Sequence, residues 1–307
     1  MFDLLVVGDA NPDVIVSGAP SDLPFGQKER LVESGAITLG GSAAITACGA
    51  ARLGLRTAFV GRVGNDRLGR FVLDAMAERG VDTSGCVVDH QLGTALTVIL
   101  VRDADRAILT APGPLPLLGV DDVDPGLAAA TRHVHVSSYF LQPRLAAGLP
   151  TWFHELRQRG VTTSLDTNDD PSGSWDGGVG EAISETDVVL PNEAEALALT
   201  GLGDVVAACR RLAELSGLPV VKCGADGAIA WRNGELIRAP GVAAQPVDTV
   251  GAGDSFNAGF LAGWLGGRDI TESLRLAAAC GSLSTRGHGG TEAQPTLDEA
   301  LSAIGLA

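Results

Sequence analysis

Short apolar runs alternate with stretches of helical period along most of the chain. Asp3–Gly8 (DLLVVG) reads as a buried strand, and Thr57–Gly61, His133–Ser137, Thr162–Asp166, Asp187–Pro191 and Pro219–Gly224 repeat the type. Between them the pattern predicts helices at Ser42–Leu53, Asp66–Arg79, Leu145–Arg159 and Asp204–Ser216; in the second of these Leu68, Phe71, Val72 and Met76 share one face. Such alternation predicts a mainly parallel sheet covered by helices. Two segments break the rhythm. Thr94–Val101 and Arg106–Thr110 read as a hairpin over RDAD (102–105), and with Val14–Val32 they predict a small side sheet, or lid. A second hairpin is expected at 227–240, where Asn233-Gly234 supplies the dipeptide that a two-residue turn prefers. With no long repeat and no low-complexity linker, the expectation is one domain over 1–307, its lid strands drawn from about 14–32 and 94–110.

Composition narrows the classes. A chain of 307 residues, 45% of them hydrophobic, can bury a large core. The net charge of −15 argues against a sequence-independent nucleic-acid binder and against docking on an anionic membrane. The five cysteines, Cys48, Cys86, Cys209, Cys223 and Cys280, are scattered and show no C-x-x-C pairing, so reduced thiols are expected rather than a disulfide framework or a zinc site. The N-terminus has no basic region before its short apolar run, and no run is long enough to span a membrane. These features predict a cytoplasmic protein.

Chemistry concentrates in DTVGAGDSFNAGF, Asp248–Phe260. Gly251 and Gly253 open an apolar helix in which Phe256, Phe260 and Trp264 recur every fourth residue. Successive amides at such a turn form an anion hole, strengthened by the helix dipole. Asp254 stands at the same helix mouth, either as a simple cap or as a functional carboxylate. A dinucleotide fingerprint would need glycine where Phe256 stands, and no P-loop motif occurs anywhere in the chain.

The long motif DTVGAGDSFNAGFLAG resembles the C-terminal signature of the ribokinase-like (PfkB) family of sugar and nucleoside kinases. GGSAAITACGAARLG (Gly40–Gly54) with VGRVGNDRLG (Val60–Gly69) resembles the family's first signature. VVGDANPD (Val6–Asp13), PNEAEA (Pro191–Ala196) and VKCGADGA (Val221–Ala228) match further elements in family order. The resemblance implies a ribokinase-like α/β sandwich, a mainly parallel central sheet between helices, with a small β lid. It implies transfer of the γ-phosphoryl group of ATP to an alcohol, with Mg²⁺ and with K⁺ as a further candidate, and a homodimer formed through the lid.

By the same resemblance, the amides of Gly251, Ala252 and Gly253 hold the phosphoryl group and Asp254 takes the proton of the attacking hydroxyl. Asn11, Asp13, Gly40, Gly41 and Ile45 would line the sugar. Asn192, Lys222, Gly224, Asp226 and Gly227 would border the nucleotide, and Glu195 would place Mg²⁺. K⁺ would lie among Asp248, Val250 and the loop Thr285–Gly290, which includes His288. Each has a plainer reading. Asn192-x-x-Glu195 is also a capping box, Gly224 and Gly227 also suit an ordinary turn, and Asp13 and Asp248 also suit strand ends.

The chain departs from the family pattern in two places. Ile45 stands where the first signature usually has an Asn on the sugar. LDTNDDPSGSW resembles the Asp-x-Asn-x-Arg stretch of some sugar-acid kinases, but Asp170 occupies the Arg place. The second departure favours a neutral sugar. A nucleoside kinase is the alternative enzyme, with thin support from lid aromatics beyond Phe25. A non-catalytic sugar- or nucleotide-binding regulator is the alternative class, and the retained Gly-x-Gly-Asp speaks against it.

Overall fold

Residues Phe2–Val7 form β1, and alternate side chains of this strand enter two different cores. Leu4 and Val6 join one cluster with Phe256, Phe260 and Leu274. Leu5 and Val7 join the other with Leu149, Phe153 and Leu156. Period-two alternation of apolar residues on both faces is what a strand covered on both sides requires. Each fully buried Leu or Phe contributes about 1.5–3 kcal/mol.

A computed structural model describes all residues except 24, 103, 104 and 307. The further strands are β2 (Asn11–Ser17), β3 (Ser34–Gly40), β4 (Thr57–Val60), β5 (Arg62–Gly64), β6 (Val87–Asp89), β7 (Leu96–Arg102), β8 (Asp105–Ala111), β9 (Thr131–Ser137), β10 (Thr162–Asp166), β11 (Val188–Val189), β12 (Leu218–Lys222), β13 (Ala228–Arg232) and β14 (Glu235–Ala239). The α-helices are α1 (Ser42–Arg52), α2 (Arg67–Glu78), α3 (Pro125–Ala129), α4 (Pro143–Gln158), α5 (Val179–Ser184), α6 (Glu193–Thr200), α7 (Val205–Ala213), α8 (Ala252–Leu265), α9 (Ile270–Ser284) and α10 (Leu297–Ala303).

The main sheet has eight strands in the order β14-β13-β12-β11-β10-β9-β1-β4. It is parallel from β4 to β12, and β13 runs antiparallel to both its neighbours. The expected α/β class is therefore observed. The β13–β14 hairpin turns where expected, with positive φ at both Asn233 and Gly234. That is the backbone of a type I′ turn, which a β-branched residue would resist. The strand expected at Asp187–Pro191 shortens to the two residues of β11.

A second sheet of four strands has the order β3-β2-β7-β8. β2 pairs antiparallel with β3 and parallel with β7, and β7 pairs antiparallel with β8. Its strand β3, Ser34–Gly40, lies beyond the range 14–32 expected from the sequence, and β2 begins earlier, at Asn11. The apolar signal misplaces β3 because its first four residues are solvent-exposed. Residue 24, within the expected lid range 14–32, and residues 103 and 104, within the expected RDAD connection, lie outside the described residues. Among the described residues, no helix is long and apolar enough to cross a membrane.

Candidate active site

The carboxyl ends of β1, β10 and β12 meet the first turn of α8. Gly251 precedes that helix with φ 72°, a left-handed conformation that favours glycine. A Cβ there would also fall 2.6 Å from the Cα of Gly290. No side chain caps the helix. Among the described residues the amides of Gly251 and Gly253 have no hydrogen-bond partner, whereas Ala252 N–H donates to the Thr249 carbonyl at 3.3 Å. The start of α8 therefore presents free donors and the positive end of a helix dipole.

Asp254 lies in this turn, only 7% exposed. Burial, with the nearby carboxylates of Asp166 and Asp9, raises its pKa well above the usual carboxylate range; Lys222 and the Ser42 hydroxyl oppose the rise. Such a carboxylate is a stronger proton acceptor than an exposed one.

Lys222 ends β12 on the same face as Leu218 and Val220, the face that α8 covers. Its Nζ donates to Asp166 Oδ2 at 2.5 Å and lies 3.5 Å from Asn257 Oδ1. Asn257 Nδ2 donates to the same Asp166 oxygen at 2.6 Å. Burial alone would lower the lysine pKa, but the carboxylates of Asp166 and Glu195 hold it above the ordinary value.

Glu195 closes a capping box at the start of α6. Its two oxygens accept from Asn192 N–H (2.8 Å) and Asn192 Nδ2 (2.6 Å), while its own N–H donates to Asn192 Oδ1 (2.9 Å). Burial, then the charge of Asp166, pushes its pKa up to about 7. Gly224 has open space in front of it, whereas a Cβ on Gly227 would fall 2.1 Å from the Ala239 carbonyl oxygen. Gly227 is thus required by the packing of β14, and Asp226 is exposed in the same turn.

At the lid side, Asn11 Nδ2 donates to Asp13 Oδ1 (2.9 Å) and to Thr97 Oγ1 (3.1 Å). Burial, then the charge of Asp9, pushes the Asp13 pKa up to about 7. Gly41 has φ 90°, and a Cβ there would fall 2.7–3.0 Å from the backbone of Asp9 and Ala10, so only glycine lets the two segments pass this closely. Ile45 is buried against Gly251 and Gly290 and supports the turn from below.

Asp248 ties two segments together. Its Oδ1 accepts from Val250 N–H and its Oδ2 from Gly289 N–H, both at 2.9 Å. The amides of Val247 and Asp248 both donate to the Thr285 carbonyl. Asp248, Val250, Thr285 and Gly290 are therefore neighbours. His288 belongs to the same loop and makes no side-chain hydrogen bond among the described residues.

Several residues here carry no signal that sequence reasoning caught. Asp9 accepts from the amides of Ser42 (3.1 Å) and Ala43 (3.0 Å), capping α1 from the connection between β1 and β2. Ser42 also accepts from Asn168 Nδ2 at 2.9 Å. Arg106, on lid strand β8, reaches Thr249 Oγ1 at 3.4 Å. Asp170, by contrast, stands out in the sequence at the Arg place; it binds only its own loop, accepting from Ser172 and from the amide of Trp175. A polar row also runs along β9 and β10: Thr162, His133, Ser164, His135 and Ser137 are linked in that order by hydrogen bonds of 2.7–2.8 Å.

Comparison with known proteins gives this geometry a context. The model of pfkB family carbohydrate kinases matches residues 1–297. An ATP-dependent ribose-1-phosphate kinase of Halopiger xanaduensis is 33% identical, over 97% of this chain and 96% of the relative. A 5-dehydro-2-deoxygluconokinase of Shouchella clausii is 30% identical, over 97% of this chain and 94% of that one. Among solved structures, Arabidopsis thaliana ribokinase complexed with ribose and ATP superposes with a TM-score of 0.86 at 26% identity, covering 100% of this chain and 99% of its own.

Proposed function

This chain belongs to the PfkB family of carbohydrate kinases and is an ATP-dependent sugar kinase, and we propose how its own residues carry the reaction. The sugar hydroxyl attacks the γ-phosphorus of ATP, the bond from that phosphorus to the β–γ bridging oxygen breaks, ADP leaves, and the hydroxyl proton passes to Asp254. The amides of Gly251, Ala252 and Gly253 cradle the phosphoryl oxygens. Asn11, Asp13, Gly40 and Gly41 line the sugar, with Ile45 beneath the turn. Asn192, Gly224, Asp226 and Gly227 border the nucleotide. The carrying observation is the single helix turn that holds a buried carboxylate of raised proton affinity beside two unpartnered amides. Asp254→Asn tests it. We expect turnover to fall roughly 10²–10⁴-fold while ATP affinity stays within a few-fold; near-normal turnover in the folded variant would falsify the assignment.

Glu195 suits Mg²⁺, because it is a buried acid whose pKa is pushed up by burial and then by the charge of Asp166, so a cation beside it would favour its ionised form. Bound there, the metal would neutralise phosphate charge, with Glu195 as its anchor. Asp248, Val250, Thr285, His288 and Gly290 are the residues for K⁺. Asp248 spends one lone pair of each oxygen on an amide and keeps the others.

A second reading concerns the charge of the sugar. Asp170 in place of Arg favours a neutral substrate. Arg106 favours an acidic one: it reaches from the lid toward Thr249, makes no ion pair among the described residues, and its charge is felt by Asp13. The relative named for ribose 1-phosphate is in line with that reading. A panel of pentoses and hexoses beside their phosphates and acids separates the two, and Arg106→Met should cost activity on the acidic members alone. We place the reaction in the cytoplasm, where ATP and the five free thiols belong. We further propose that the four-stranded sheet is the lid of one kinase domain and the face for a homodimer. Ile37 (60% exposed) and Ile108 (56%) support that surface, and light scattering tests it.

A further inference from the structure

The site holds one buried cation among acids that outnumber it. Lys222 Nζ, Cδ and Cε lie 3.6, 3.7 and 3.9 Å from the place a Cβ on Gly253 would take. Its stem therefore runs alongside the amides at the head of α8, in space that Gly253 leaves free. Asp166, at the end of β10, and Asn257, one turn along α8 from Gly253, hold the ammonium, and Asn257 is itself fixed on Asp166. The charges of Asp166, Glu195 and Asp254 all act on Lys222 and keep it protonated.

The geometry points to Lys222 as a catalytic residue that contacts the phosphoryl group in flight, with Asp166 and Asn257 as its positioning residues. This rests on the phosphoryl-transfer reading of the α8 turn and adds a role to it. Both the base side (Asp254) and the metal side (Glu195) adjoin this ammonium, so it sits between the two ends of the transfer. As the P–O bond to ADP breaks and the bond to the sugar oxygen forms, the equatorial oxygens crowd into the hole at Gly251–Gly253, beside Lys222. Asp166 holds the ammonium there beforehand, so no reorganisation is needed when the charge arrives. Lys222 donates hydrogen bonds and transfers no proton; the hydroxyl proton still goes to Asp254. A residue serving ground-state ATP affinity alone would have no need of a position against Gly253, at the accepting end.

The test compares binding of Mg·ADP with binding of Mg·ADP plus aluminium fluoride, a mimic of the phosphoryl group in flight, by calorimetry. The wild-type protein should bind the mimic complex at least about 10-fold more tightly than Mg·ADP. Lys222→Met should lose that gain while keeping Mg·ADP affinity within about 3-fold, and kcat on the best sugar of the panel should fall about 10²–10³-fold with little change in KM for ATP. Because Lys222→Met leaves Asp166 buried without its partner, the double variant Lys222→Met/Asp166→Asn is measured as well. A folded variant of either kind that keeps the gain overturns the proposal. So does a parallel loss of Mg·ADP affinity, which would make Lys222 a nucleotide-binding residue. If the wild-type protein itself shows no gain, the phosphoryl-transfer reading of the turn fails, and this proposal with it.

Discussion

A Cβ placed on Gly40 would fall 2.1 Å from both the carboxyl carbon and one oxygen of Asp13. The two residues belong to adjacent strands, with Asp13 two residues beyond Asn11, the partner of Gly40, and glycine is what lets the carboxylate lie over the strand. The backbone of Gly40 is not in the left-handed region, so an alanine there acts through its methyl group alone. We expect Gly40→Ala to raise KM for the sugar at least about 10-fold, since displacing a positioning group by an ångström commonly costs that much or more. ATP affinity should not change. The double variant Gly40→Ala/Asp13→Ala should be no worse than Asp13→Ala. Clearly additive losses in steady-state kinetics would show that the glycine serves something other than Asp13.

Glu195 has a structural task and a proposed metal task, and one substitution separates them. Gln keeps the capping box, which accepts either Glu or Gln at its third position, but lacks the charge. Glu195→Gln should therefore raise the Mg²⁺ concentration for half-maximal activity about 10-fold and shift the melting temperature by no more than a degree or two. A lowered melting temperature with an unchanged Mg²⁺ titration would assign Glu195 to the cap alone.

The contrast between these residues and Lys222 explains what the sequence could reveal. Gly251, Gly253 and Asp254 are contiguous, so one local motif shows a turn, a helix dipole and a carboxylate together. Asn192 and Glu195 are likewise three residues apart. Lys222, Asp166 and Asn257 are 56 and 91 residues apart by their two hydrogen bonds. They meet only because two parallel strands end level under one helix. The row His133, His135 and Ser137 misleads in another way. Alternation of polar and apolar residues in a strand normally marks a solvated face, but here α8 covers the polar side, and Trp264 packs edge-on against His133 at 5.3 Å. The polar groups are tolerated because each ring nitrogen has a hydroxyl partner.

Those buried groups set a pH response of definite sign. Asp13 and Glu195 have folded pKa values of about 7, above the ordinary carboxylate value, so the folded state binds more protons between roughly pH 4 and 7. Their contribution to stability therefore grows as pH falls through 7. His135 works the other way. Burial lowers its pKa to about 4, so below the unfolded value near 6.5 the unfolded state binds the extra proton and stability is lost. From pH 8 to 6.5 only the acids act, and the ligand-free protein should gain on the order of 1 kcal/mol. Below 6.5 the gain should flatten. Urea midpoints at pH 8, 6.5 and 5 measure this; a steady loss from pH 8 to 6.5 would contradict the assignment of these acids.

The proposed K⁺ acts at one remove from the chemistry. Asp248 already joins Val250, just before the anion-hole turn, to Gly289 in the loop Thr285–Gly290. Gly290 packs against Gly251, the residue whose left-handed backbone starts α8. A cation held by Asp248 and the surrounding carbonyls would stiffen this junction, and through it the amides of Gly251 and Gly253. It would touch no phosphate oxygen. The effect should therefore fall on kcat, with KM for ATP and for the sugar changed less than about 3-fold, as expected for better alignment of oxyanion donors. K⁺ should accelerate turnover several-fold over Na⁺ or a bulky organic cation at matched ionic strength. Asp248→Asn should remove most of that difference while it keeps one acceptor for the amides. Equal rates in all three salts would leave Asp248 as a purely structural clasp between the two segments, with the kinase assignment untouched.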